Sequence, residues 1–169
     1  IIAIGGDGTF RGAAALSKHG INVICIPATI DNDISCTNYS IGFDTAANTA
    51  IECIDRLRDT IESHSRCMVV EVMGARAGYL TLNAGIAVGA TAIVIPEIPY
   101  DIESVCKAIE KRSKAGKGFS IIAVAEGAIS KEDAALPKKK RKEKIANRPY
   151  PSVAYEIADQ IGQRLGTEV

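Results

Sequence analysis

Five short runs rich in β-branched residues are apolar along nearly their whole length: Ile1–Ile4, Asn22–Ile26, Cys67–Val72, Ala92–Ile95 and Phe119–Val124. A strand with one wet face alternates apolar and polar residues, whereas a strand covered on both faces does not. Uninterrupted apolar strands therefore mark a parallel sheet with helices packed on each side. The segments between them carry helical spacing. Phe43, Ala46, Ala47, Ala50, Ile51, Ile54, Leu57 and Ile61 advance by threes and fours, which predicts a helix over Phe43–Ser63. The stripes Ile102, Val105, Cys106, Ile109 and Val153, Ile157, Ile161, Leu165 predict two more. Strands and helices alternating with short connections predict an α/β fold of doubly wound parallel sheets.

The 169 residues, 47% of them hydrophobic, suffice for a domain or a domain and a half, and a chain of that length buries about 70% of its unfolded surface. Twenty basic residues balance 20 acidic ones, so no overall field draws the chain to nucleic acid or an anionic membrane. The five cysteines, Cys25, Cys36, Cys53, Cys67 and Cys106, show no CxxC spacing. They read as reduced, buried thiols of a cytoplasmic protein, not as a disulfide frame or zinc site. No apolar stretch approaches the roughly 20 residues of a membrane span, and no signal peptide is visible. Residues 130–149 contain a run of like charge, Lys138 to Lys142, which predicts a solvated surface loop. Ile1 opens straight into an apolar run, as expected of a piece of a longer protein.

Two polar interruptions carry chemistry. Gly5-Gly6-Asp7-Gly8-Thr9 ends the first apolar run and precedes a helix. Its glycines let the backbone approach a phosphate, and the helix N-terminus offers unpaired N–H groups. Asp7 supplies a hard oxygen that suits Mg²⁺, an ion that binds phosphates through one or two carboxylates. By itself the motif fits several kinase families, NAD kinases and lipid kinases included. The second interruption, residues 27–42, begins Pro27-Ala28-Thr29-Ile30-Asp31-Asn32-Asp33 directly after the second run. Neighbouring parallel strands would bring both loops to one rim, where such sheets bind ligands. Asp7, Asp31 and Asp33 are then expected to converge in one crevice and raise one another's pKa.

These two motifs together resemble the 6-phosphofructokinases. Ile41-Gly42-Phe43-Asp44-Thr45-Ala46, Arg66, Val70-Glu71-Val72-Met73-Gly74, Pro96-Glu97 and Ala125-Glu126-Gly127 follow in that family's order and spacing. Only the Lys-rich segment stands outside the resemblance, and NAD kinases and lipid kinases lack this combination. The resemblance implies transfer of the ATP γ-phosphoryl group to the 1-hydroxyl of fructose 6-phosphate, with Mg²⁺ as cofactor. It implies Asp31 as proton acceptor, with Thr29 and Asp33 beside it. Gly6, Asp7, Gly8 and Thr9 match the nucleotide-phosphate loop, Asp7 being the metal residue. Thr29, Ile30, Asp31, Met73, Gly74, Ala75, Arg76 and Glu126 match sugar-binding positions. Arg66 matches an arginine that reaches a neighbouring subunit's sugar phosphate, which implies a homo-oligomer, a tetramer in the family. Residues 1–42 correspond to part of the ATP-binding domain and residues 43–169 to the fructose 6-phosphate-binding domain. Such chemistry needs in-line placement, a metal and a base more than covalent help.

The sequence also departs from the family. The usual arginine after Met-Gly is replaced by Ala75, and the positive charge comes one residue later at Arg76. Arg58 and Lys117 match effector-site positions, whereas Thr91 stands where an acid is expected. The family's glycine-rich loop over the ATP phosphates and its His-containing substrate segment have no counterpart here, so the 169 residues alone are expected to be inactive. Gly8 and Ala28 stand where pyrophosphate-using relatives carry Asp and Lys, which favours ATP as donor. The alternatives are a pyrophosphate-dependent phosphofructokinase and a non-catalytic regulatory subunit of the same fold.

Overall fold

In the computed structural model, which describes residues 1–169, the strands form two separate parallel sheets. The first pairs β1 (Ile2–Gly5) with β2 (Ile24–Pro27), joined through α1 (Asp7–Lys18), with Ala3 opposite Cys25. The second has the order β3-β5-β4, from β3 (Cys67–Val72), β4 (Ala92–Val94) and β5 (Ser120–Ala125). Its helices are α2 (Phe43–His64), α3 (Tyr79–Ala87), α4 (Ile102–Lys114) and α7 (Val153–Leu165). The predicted α/β fold with parallel sheets is the one observed.

β5 lies in the middle of the larger sheet, and all six of its residues are buried. Its period-2 alternation sends Ile122 and Val124 to one face, among Val105, Cys106 and Ile109 of α4 and Val153, Ile157 and Ile161 of α7. Ile121 turns to the other face, among Ile54 and Ile61 of α2 and Ala84 of α3. Each such side chain contributes about 1.5–3 kcal/mol by leaving water, so this sheet and its four helices hold the core. A third cluster, Phe43, Ala47, Val72 and Leu80, takes in Ile30 and so ties the polar loop after β2 to the larger sheet.

Four expectations are corrected. Helix α3 has no periodic signal in the sequence, because its solvent face, with Tyr79, Leu82 and Ile86, is as apolar as its buried face of Leu80, Ala84 and Gly85. Residues 130–149 are not simply a loop: they contain α5 (Lys131–Ala134) and α6 (Lys138–Ala146). Lysine is a good helix former; Ser130 caps α5 by accepting from the Asp133 N–H, and Lys144 binds the buried Asp133 carboxylate. The apolar β1–β2 ribbon is covered on one side only, for Ile2, Ile4 and Ile24 are 63–68% exposed. Cys67 and Cys106 are buried, and burial together with Cys106 pushes the Cys67 thiol up to about 12, but Cys36 and Cys53 lie exposed. No helix is long and apolar enough to cross a membrane.

Candidate active site

The glycine loop and the Asp31 loop share a rim, as the strand order led us to expect. Gly6 caps α1, so Asp7, Gly8 and Thr9 form that helix's first turn with free N–H groups. The Ala28 N–H donates to the Gly5 carbonyl at 3.0 Å, and a Cβ on Gly6 would stand 3.2 Å from the Thr29 Cβ. Around Gly8, in contrast, a Cβ would meet nothing within 4 Å.

The ends of the Asp31 loop are tied together: Thr29 N–H donates to Ile41 O at 3.1 Å and Ile41 N–H to Pro27 O at 2.9 Å. The Asp31 N–H donates to Thr29 Oγ1 at 3.2 Å. Burial pushes the Asp31 carboxyl above the ordinary carboxylate range, and the negative charges of Asp33 and Glu126 push it further. Asp7 is not among the charges acting on it. Its carboxylate turns back along α1 to Arg11, at 2.6 Å. The acidic group that forms around Asp31 is thus Asp33 and Glu126, in place of the expected three aspartates.

Between the two aspartates, Asn32 has φ 51°, in the left-handed region. That conformation costs most residues about 1–2 kcal/mol and suits Asn far better. Its Nδ2 donates to Asn38 O at 3.0 Å, and its Oδ1 accepts from the Ser40 N–H at 2.8 Å.

Carboxylates from two other strands fix the loop that follows β3. Gly74 and Ala75 N–H donate to Glu126 Oε1, at 3.1 and 2.6 Å, from the carboxyl end of β5. Gly78 N–H donates to Glu97 Oε1 at 2.8 Å, beyond β4. Ala75 is left-handed, φ 50°, and its carbonyl oxygen lies 2.1 Å from where a Gly127 Cβ would be. Glu126 therefore holds the very residues, Gly74 and Ala75, with which it was expected to meet the sugar. Met73 and Arg76 are exposed beside them, and Arg76 forms no ion pair. Reasoning from the sequence missed the parts played by Asn32 and Glu97. Asn between two aspartates was the one available hint, since Asn tolerates a left-handed backbone.

Other predicted positions lie apart. Arg66 stands at the amino end of β3, paired with Glu168 at 2.8 Å. The six residues of β3 put about 20 Å between it and Met73, beyond the reach of its side chain. Arg58 donates to the Val88 carbonyl at the end of α3 and pairs with Asp55 at 3.2 Å, while Lys117 is exposed. Thr91 keeps a buried hydroxyl without a partner. The largest cleft, about 680 Å³, is bordered by Arg66, Cys67, Tyr155 and Glu168. It runs along β3 from Arg66 to Glu71, beside α7, whereas Asp31, Glu126 and the glycine loop gather beyond the carboxyl ends of their strands, where ligands of such folds bind.

Comparison with known proteins bears on the family and the fold. The chain is 44% identical over all 169 residues to the ATP-dependent 6-phosphofructokinase of Corynebacterium efficiens, and covers 49% of that protein. With ATP-dependent 6-phosphofructokinase 1 of Thermus thermophilus it shares 54% identity over 129 residues, 76% of this chain and 40% of the relative. The chain thus spans about half the length, or less, of the curated relatives it matches. Its fold superposes on the phosphofructokinase of Saccharomyces cerevisiae with a TM-score of 0.79 and 31% identity, over 99% of this chain and 23% of that one. A pyrophosphate-dependent phosphofructokinase from Nitrosospira multiformis, 21% identical over 99% of this chain and 42% of its own, shares the fold with a TM-score of 0.76. The family model described as Phosphofructokinase matches residues 1–169 from end to end, and this chain belongs to that family.

Proposed function

We propose that this chain supplies the acceptor side and part of the donor side of an ATP-dependent 6-phosphofructokinase, which moves the ATP γ-phosphoryl group to the 1-hydroxyl of fructose 6-phosphate. The observation that carries the reading is Asp31, a partly buried carboxylate whose proton affinity is raised by burial, Asp33 and Glu126, two residues beyond Thr29, which packs against Gly6 of the glycine loop. A carboxylate of raised pKa is a stronger base for an attacking hydroxyl. Asp31 takes that proton, and Thr29 fixes the backbone beside it. Gly6, Gly8 and Thr9 present the α1 N-terminus to donor phosphates, and the open space at Gly8 leaves room for a nucleotide.

No three His, Cys, Asp or Glu side chains gather closely enough to hold a metal unaided. Asp7 offers the hard carboxylate oxygen that suits Mg²⁺ carried largely by phosphate oxygens; to hold the ion it would have to release Arg11, and the ion would supply charge neutralisation. Met73, Gly74, Ala75, Arg76 and Glu126 line the sugar side, with Ile30 packed beneath the loop. The two sheets motivate assigning residues 1–42 to the nucleotide-binding domain and 43–169 to the sugar-phosphate domain. Arg66, too far from its own chain's Glu126, serves the site of a second copy in a homo-oligomer. An effector contact at Arg58 and Lys117 belongs to the same proposal, with Arg58 shared with Val88. In a full-length enzyme carrying this chain, Asp31→Ala is expected to lower kcat by about 10²–10⁴-fold while changing the KM for sugar far less. Near-normal kcat would refute the assignment.

A further inference from the structure

From the geometry of the loop after β2, we infer that Asn32 is the positioning residue of this site: it stitches the loop across its middle and thereby holds Asp31 and Asp33 on one side. The inference rests on the reading of Asp31 as the base. Three observations about one side chain carry it. Its left-handed backbone, φ 51°, reverses the chain between the two aspartates, and φ is otherwise left-handed at only two non-glycine residues, Ser65 and Ala75. Its amide spans the loop, Nδ2 donating to Asn38 O and Oδ1 accepting from Ser40 N–H. The residue it grips, Ser40, is buried, with a hydroxyl that has no partner, so that end of the loop is closed against water.

The backbone bonds of Thr29 and Ile41 close the loop's mouth, and the side chain of Ile30 anchors its first turn. Ile34 is buried farther along, and Thr37 bonds Ile34 O and Tyr39 O, but only Asn32 ties the turn between the two aspartates to the returning arm. Without its amide, the turn from Asp31 to Asp33 would lose that tie and would swing and hydrate more freely. Asp31 would lose its burial and its fixed distance from Asp33. The charged groups acting on Asp31 are Asp33, from its own loop, and Glu126, from the end of β5. Only the first of these moves with Asn32.

The test uses Asn32→Gly, which keeps the left-handed backbone and removes the stitch. A companion, Asn32→Asp, keeps an acceptor for Ser40 N–H but loses the donor to Asn38 O. In a full-length enzyme carrying this chain, both are expected to lower kcat by about 10–100-fold, the scale of a 1 Å misplacement. The acid limb of the kcat profile for Asn32→Gly is expected to move to lower pH, because a hydrated Asp31 gives up its proton more readily. In the 169-residue chain, carboxylate NMR should show the Asp31 titration moving the same way. A purely structural role would reduce the amount of active enzyme without moving the limb. An unmoved limb and an unmoved Asp31 titration in Asn32→Gly overturn the inference, even if activity falls. If Asn32→Gly does not fold, Asn32→Asp decides on kcat: a value within twofold of the parent overturns it. Failure of the base assignment is separately visible, since Asp31→Asn would then keep its kcat.

Discussion

Substituting Gly127 by Ala tests the clamp that joins β5 to the loop after β3. The added Cβ would sit 2.1 Å from the Ala75 carbonyl oxygen and 3.3 Å from Pro96 Cγ. Side-chain carbons do not approach so closely; a separation of 3.0 Å is the practical floor, so about 0.9 Å must be found. Gly127 itself needs no left-handed backbone, and the clash is therefore purely steric. The loop cannot simply back away. Gly74 and Ala75 are held by Glu126, the residue next to Gly127, at 3.1 and 2.6 Å. Overpacking of this kind costs about 1–3 kcal/mol, and weakening hydrogen bonds to an exposed carboxylate adds about 1 kcal/mol. A total of about 2–4 kcal/mol corresponds to a Tm lowered by roughly 5–15 °C in a chain of this size. Differential scanning calorimetry of the chain measures it, and the amide shifts of Gly74 and Ala75 report the displacement. Gly12→Ala is the control: it lies within α1 with nothing within 4 Å of its Cβ, and should stabilise by about 0.5–1 kcal/mol. A Gly127→Ala chain that melts within 2 °C of the parent, with both amide shifts unchanged, would refute the reasoning.

Three further outcomes are expected. Because burial, Asp33 and Glu126 raise the Asp31 pKa in the folded chain, the folded state favours the protonated carboxyl; its stability contribution is full below the unfolded value and is lost as pH rises through the folded one. Asp31→Asn should therefore melt above the parent at pH 7, with the gap closing below about pH 4; equal melting at pH 7 contradicts this. Lys144→Met leaves the buried Asp133 carboxylate without its ammonium partner and should destabilise by about 1–2 kcal/mol, discounted because the lysine end is half exposed; thermal melts read the loss. ATP should support faster phosphorylation than pyrophosphate at equal concentration in a full-length enzyme carrying this chain, and Gly8→Asp should slow ATP use by filling the open space beside α1. Faster turnover with pyrophosphate in the parent would reverse the donor assignment.

The elements legible in the sequence were those whose surroundings leave a one-dimensional trace. Burial on both faces made β5 almost wholly apolar and left β3 apolar but for Glu71, and a single buried face gave α2 its steps of three and four. Helix α3 has no such trace, because its exposed face carries Tyr79, Leu82 and Ile86 and so reads as apolar as the face it buries. In α6 the charges drew the eye away from a composition that favours helix. The site divides in the same way. Glycines and aspartates announce a phosphate loop and a base because few residue types can do that work. Hydrogen bonds that Glu97 and Glu126 accept from amides 19 to 52 positions away leave nothing local to read. The turn of Asp7 toward Arg11 is the opposite case, an i,i+4 pair on α1 whose spacing was there to read.

The one-sided cover of the β1–β2 ribbon has a consequence for motion. A two-stranded sheet is marginal by itself, and α1 contributes a single buried residue, Ala13, to hold it. The larger sheet has helices on both faces. Amide hydrogen exchange should accordingly run in two tiers, fast in β1, β2 and the first turn of α1, and slow in β5. The glycine loop rides on the fast tier, while the loop carrying Asp31 is pinned to the slow one through Ile30. On the proposed function, a phosphate arriving at the α1 N-terminus would have to quiet the ribbon. Donor binding would then carry an ordering entropy that acceptor binding does not, and calorimetry should find its binding entropy the less favourable of the two.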